Sequence, residues 1–205
     1  MTLLVNLLIF FFAVIIHEYA HGWVAWKLGD STARFMGRLT LNPIAHIDPI
    51  GTIFLPLILL MTHSPILFGW AKPVPVDFFN LNNPKKDMIW VSLAGPAANI
   101  IFAIALSLIL KIPLLAANYF VVSVITTAIM ANLVLAVFNL LPIPPLDGSR
   151  VAMGLLPYHL GVEYAKVEPY GFIIIFALLW IGVINTVIWP VVIVLARLLG
   201  VNFGM

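Results

Sequence analysis

The sequence predicts an all-α polytopic membrane protein with about four to six transmembrane helices, and three observations carry that reading. Of 205 residues, 63% are hydrophobic and 9% are charged, against roughly 25% charged in soluble domains. Mean hydropathy is +1.13. Several stretches reach the roughly 20 apolar residues that a helix needs to cross a bilayer. Too few charges remain to cover a water-facing surface, which excludes an ordinary soluble domain and a disordered chain. Ten Lys+Arg against eight Asp+Glu leave +2 with no basic cluster, so nucleic acid is excluded as a partner. The chain has no cysteine, so disulfides and thiolate ligands are excluded. One membrane domain, 1–205, accounts for the whole length.

The elements follow in order. Residues 2–26 form the first span. No Lys or Arg precedes the run and no small-residue cleavage pattern ends it, so it is read as a retained span and not a signal peptide. Lys27, Arg34 and Arg38 follow it, which places that end in the cytoplasm and Met1 outside. Residues 34–41 have strand-like character and predict a small β-sheet at the membrane surface. Residues 50–70 are apolar but carry Pro56, His63 and Pro65, which suits a re-entrant or interfacial hairpin better than a crossing. Lys72, Lys85 and Lys86 then return the chain to the inner side. Residues 88–110 form a second span, interrupted only by Gly95-Pro96 and Asn99. Lys111 falls outside, an exception to the charge rule. Residues 114–141 form a third span without charge, and Asp147, Arg150 and Lys166 lie beyond it on the inner side. Residues 170–199 make one tilted helix, or two segments broken near Asn185 or Trp189-Pro190.

The most informative string is His17-Glu18-Tyr19-Ala20-His21, an HExxH. Helical positions i and i+4 share a face one turn apart. Two imidazoles there reach one tetrahedral metal, and the intervening Glu can take a proton from a water that the metal activates. In a soluble protein such a string is often a chance pattern on an exposed helix. Here sixteen uncharged residues precede His17, and Lys27 follows ten residues later, roughly 15 Å along a helix. The motif therefore lies at membrane depth on the cytoplasmic side. An ionisable group there costs at least about 2.5–3.5 kcal/mol, too much for unpaired packing residues. A proton path would also explain the charge, but a metal site explains the spacing better.

Two histidines leave a catalytic zinc one ligand short. The candidates are His46, Asp48, His63, Asp147 and His159. The three histidines fall in expected loops or interfaces, where a solvated or hydrogen-bonded imidazole is the ordinary outcome, and Asp48 before Pro49 can simply shape a turn. Asp147 stands out. It ends the run from Asn139 through Pro142, Pro144 and Pro145 to Asp147-Gly148, directly after a charge-free span. The prolines predict an extended exit from that span, tolerated at membrane depth where it lines a cavity. Gly148 would permit a sharp turn.

These two strings together resemble the site-2 protease family of intramembrane zinc metalloproteases, which pairs HExxH with NxxPxxPxDG on a later span. The second motif is met by Asn139, Pro142, Pro145, Asp147 and Gly148, and residues 95–99 resemble a motif on the intervening span. Residues 41–51 and 69–73 look like the compact prokaryotic branch. Ser149 departs from a frequent second Gly, and no PDZ-like or CBS-like domain is expected. The resemblance implies one Zn2+ held by His17, His21 and Asp147, with Glu18 as general base and acid. Asn139 would stabilise the oxyanion or hold substrate, with Pro142 and Pro145 beside it, while Asn99 serves helix packing. The implied reaction is peptide hydrolysis in or near transmembrane segments, as in regulated intramembrane proteolysis. A core over about 2–151 would carry it, with a C-terminal helical segment at 170–199. The unwound substrate would pair by strand addition with the stretch 142–146 or the hairpin 50–70. Expected partners are the bilayer, single-span membrane protein substrates and, as an open option, further copies of the chain, in a prokaryotic plasma membrane. A metal or proton carrier and a non-hydrolytic scaffold are the competing readings; the intact Glu18 and the shared depth of the four ionisable groups count against them.

Overall fold

The computed structural model of the chain describes residues 3–62 and 69–201. Helix α1 (Leu3–Lys27) is largely apolar, with His17, Glu18 and His21 in its C-terminal half. It stops at Gly29, whose φ of +113° only glycine adopts freely, and the Asp30 N–H returns to Ala25 O at 2.9 Å. The short α2 (Thr32–Phe35) follows, then a 3-10 turn at Pro43–His46, a π-helical stretch at Pro49–Phe54 and α3 (Leu55–Met61). Helix α4 (Pro84–Ile109) is started by Asn83, whose side chain accepts from Lys86 N–H. After α5 (Pro113–Ala116) comes α6 (Tyr119–Asn139), capped by Asn118. The end of the chain is α7 (Asp147–Leu155), α8 (Tyr158–Ala165), α9 (Gly171–Trp180) and α10 (Trp189–Leu198).

Helices α1, α4 and α6 are long and apolar enough to cross a membrane, and α8–α9 with α10 form a fourth, bent unit. This is an all-α membrane fold. Helix α4 is central: α1, α6 and α7 pack against it, and α10 packs on α6. Small residues make the approach close. Ala103, Ala136 and Ala196 are completely buried, as expected where van der Waals packing holds membrane helices together. Large apolar side chains such as Leu4, Phe12, Ile101 and Phe120 point outward, which in a bilayer is the lipid face.

No strand occurs among the described residues, so the expected sheet at 34–41 is absent. The backbone there closes on itself: Arg38 N–H donates to Ala33 O at 2.8 Å, and Gly37 takes φ +65°. Arg34 lies over the Trp26 ring at 4.8 Å. Local turn bonds and this stacking outcompete an edge that has no partner strand. Of the hairpin expected at 50–70, residues 63–68 lie outside the described residues; at its two ends Trp70 N–H donates to Gly51 O at 3.2 Å and Thr52 Oγ1 donates to Trp70 O at 2.8 Å.

Asp30 ties the end of α1 to the chain at Asp77. Its buried carboxylate accepts from Thr32 N–H, the Thr32 hydroxyl and Asp77 N–H. Burial opposes the charge, but these donors outweigh it and hold the carboxyl below its ordinary range. A depressed folded-state value means that Asp30 stabilises the fold above the unfolded pKa and stops doing so as pH falls through the folded one. Limited proteolysis at 77–80 is therefore expected to stay slow from pH 7 down to about 4 and to quicken only below the ordinary carboxylate range. Asp30→Ala should quicken it already at pH 7.

Candidate metal centre

His17 and His21 lie one turn apart on the C-terminal half of α1 and are buried to 4% and 8% exposure. Their rings meet edge to face, with centroids 4.6 Å apart. The Nδ1–H of His17 donates to Asn99 Oδ1 at 2.6 Å. The Nδ1–H of His21 donates to Val91 O at 2.7 Å. Both acceptors belong to α4, and both leave Nε2 with its lone pair free, the tautomer a metal ligand needs. The amide of Asn99 is oriented in turn: its Nδ2 donates to Ala13 O at 3.0 Å and to Asn132 Oδ1 at 2.8 Å.

Asp147 opens α7 and brings its carboxylate to the same point. Oδ2 lies 2.9 Å from His17 Nε2 and 3.2 Å from His21 Nε2. Tetrahedral zinc with bonds near 2.0–2.1 Å sets its ligand atoms about 3.3 Å apart, so the observed edges fit such an ion. The three donor atoms lie within 4.8 Å of one another, the one such group found among the described residues. Gly95 on α4 faces this point. A Cβ there would come within 2.3 Å of His21 Nε2 and 2.6 Å of His17 Nε2, so the space beside the imidazoles exists only because residue 95 lacks a side chain.

These groups line a cleft of about 320 Å³, with Glu18, Asn139, Pro145 and Arg150 in its wall. Glu18 Oε2 accepts from Val74 N–H at 2.8 Å. The chain at 72–74 is held in place for this contact: Arg38 Nη2 donates to Lys72 O at 2.8 Å and Pro73 O at 3.0 Å, and Lys72 N–H donates to His46 O at 2.9 Å. Asn139 ends α6, and its Nδ2 donates to Leu135 O at 3.0 Å. Pro142 lies outside the cleft wall; its carbonyl accepts from the Tyr164 hydroxyl at 2.6 Å. The expected extended exit at 142–146 is a pair of tight turns, with Ile143 N–H to Leu141 O at 2.8 Å and Leu146 N–H to Ile143 O at 2.9 Å. The prolines stop the helix as expected, but the remaining N–H groups close locally. Gly148 is needed for room and not for a special φ, since a Cβ would meet Leu140 O at 2.2 Å.

The other candidate ligands go elsewhere. His46 is buried, with Nε2 on Thr40 O at 2.8 Å. Asp48 caps the π-helical stretch through Ile50 and Gly51 N–H. His159 is exposed on α8, and His63 lies outside the described residues. Asn99 does more than the expected helix packing, because it also fixes the tautomer of His17. Its partner Asn132 was legible as an amide in the interior of a charge-free span, a group that must find a hydrogen bond in lipid. The Val74 N–H carries no sequence signal at all. Removal of a ligand's outer partner costs metal affinity 10–100-fold. Asn99→Ala should weaken metal binding by about that much, read by competition with a chromogenic chelator.

The fold and the site together define a class: a helical membrane protein built around a buried His–His–Asp group that could hold a metal ion, with a carboxylate beside it. Residues 5–117 and 112–182 match peptidase family M50, and the chain belongs to that family. A Bacillus subtilis (strain 168) protein named "Putative zinc metalloprotease YwhC" is 41% identical over 182 residues, covering 85% of this chain and 79% of the relative. Rip2 of Mycolicibacterium smegmatis, described in the same words, is 32% identical over 174 residues, covering 83% of this chain and 64% of the relative. Rip2 of Mycobacterium tuberculosis H37Rv is 32% identical over 157 residues, 76% of this chain and 52% of its own length. The chain thus spans only part of the Rip2 proteins. No solved structure matches it.

Proposed function

We propose that the chain is an intramembrane zinc endopeptidase of the site-2 type, which hydrolyses peptide bonds in or near the transmembrane segments of single-span membrane proteins. The observation that carries this is the convergence of His17 Nε2, His21 Nε2 and Asp147 Oδ2 on one point, with Glu18 in the wall of the same cleft. Zinc held by these three donors would supply a Lewis acid for the scissile carbonyl and would lower the pKa of water. Glu18 takes the proton from the attacking water and returns it to the leaving amine. The Val74 N–H keeps its carboxylate turned to the cleft. Asn139 donates to the carbonyl oxygen as charge develops there, after turning its amide from Leu135 O.

The substrate must present an extended backbone, because helical amides are already bonded. Residues 70–76 offer a place for it. This stretch is non-helical, and Pro73, Val74 and Val76 lie in the cleft wall. Lys72, the Pro73 carbonyl and the Val74 N–H already have partners, so strand addition there would use the Val74 carbonyl and the backbone groups of Val76. The cations Lys27, Arg34, Lys72, Lys85 and Lys86 support a plasma-membrane topology with Met1 outside and the cleft toward the cytoplasm. The test is metal analysis of the purified full chain alongside cleavage of model single-span substrates in proteoliposomes. Stoichiometric zinc and cleavage within the span support the reading. A zinc-loaded chain that cleaves none of a panel of such substrates overturns it.

A further inference from the structure

We propose that Arg150 is the anion-binding residue of the cleft and receives the carboxylate that hydrolysis creates at the new C terminus. This rests on the protease reading above. Hydrolysis breaks the C–N bond and forms a C–O bond with the water oxygen. One water proton reaches the leaving amine, and the new acid ionises. A neutral amide thus becomes a carboxylate inside a cleft whose wall already holds Glu18 and Asp147. Zinc would offset part of that charge, and a second cation on the side where it appears stabilises it further.

Arg150 is placed for this. It lies three residues after Asp147 on α7, and helical positions i and i+3 share a face. It is the one Lys or Arg among the residues that line the cleft. Its guanidinium is also held from two sides. Nη2 donates to Glu168 Oε1 in the turn before α9, and the Phe78 ring lies 5.6 Å from Cζ. The side chain keeps 28% exposure, so it is fixed yet reachable. A planar guanidinium has five donors in a fork that matches a carboxylate, and the Glu168 contact shows that this one binds such a group. Glu168 acts as the internal stand-in that the product displaces.

The experiment uses the zinc-loaded full chain and a fluorescent peptide equal to the N-terminal product of a model substrate that the wild type cleaves. The peptide is made once with a free C-terminal carboxylate and once as the amide. Zinc itself favours the carboxylate in every variant, so the change in preference between variants isolates Arg150. Arg150→Gln should cut the carboxylate-over-amide preference about tenfold, with zinc content and melting temperature unchanged. Glu168→Gln leaves Arg150 in place without its competitor and should raise the preference. A preference that survives Arg150→Gln overturns the proposal, as does an equal loss of both peptides. Should that variant not fold, an unchanged or lower preference in Glu168→Gln does the same. A zinc-loaded wild type that cleaves none of the model substrates would instead sink the protease reading.

Discussion

Glu18→Gln is expected to abolish cleavage while leaving zinc bound. Loss of a general base alone costs 10²–10⁴. Here the same group also returns the proton to the leaving amine, so a fall of at least about 10³-fold in kcat is expected. Zinc content should stay at the wild-type level, because the donor group is His17, His21 and Asp147 without Glu18. The fold should persist as well. Gln has the shape of Glu, and its amide oxygen can still accept the Val74 N–H that Glu18 accepts at 2.8 Å. Single-turnover cleavage and metal analysis on the same preparation check both halves. Cleavage at the wild-type rate would remove Glu18 from the chemistry. Loss of zinc together with activity would mean that the carboxylate helps hold the metal.

The candidate ligand set was legible because membrane depth turns a short motif into a costly one. His17, Glu18 and His21 cannot sit uncompensated in an apolar span, and Asp147 is the acid that follows a charge-free span behind three prolines. The structure brings His17, His21 and Asp147 to one point. The surroundings were less legible, for two physical reasons. Backbone partners such as Val91 O and the Val74 N–H are the same atoms in every residue, so no side-chain pattern announces them. Arg38 is a second kind of case. Read as one of several charges at the inner surface, it is buried at 9% exposure and clamps the carbonyls of Lys72 and Pro73. A long cationic side chain carries the same sequence signal whether it faces headgroups or a backbone. The sheet expected at 34–41 failed for the converse reason. Alternation needs a partner strand, and nothing in the local sequence says whether one exists.

Gly95→Ala is the second variant with a large expected effect, and it separates a metal cradle from ordinary helix packing. Ala is the better helix former by about 1 kcal/mol, so on propensity alone α4 should gain. The added Cβ, however, would stand 2.3 Å from His21 Nε2 and 2.6 Å from His17 Nε2. Neither ring can simply turn aside, since Asn99 and Val91 O hold the far nitrogens at 2.6 and 2.7 Å. The rings keep those bonds only if the helices part, and they give way only if the Nε2 atoms leave the point they share with Asp147. Either outcome spoils the ligand geometry, and zinc affinity should drop at least about 100-fold, beyond the loss of an outer partner alone. Asp147→Ala supplies the reference for a missing ligand. Chelator competition on the two variants, with helix content from circular dichroism, reads the difference. Near-normal zinc affinity in Gly95→Ala would show that the imidazoles approach the ion from a direction other than the face Gly95 leaves open.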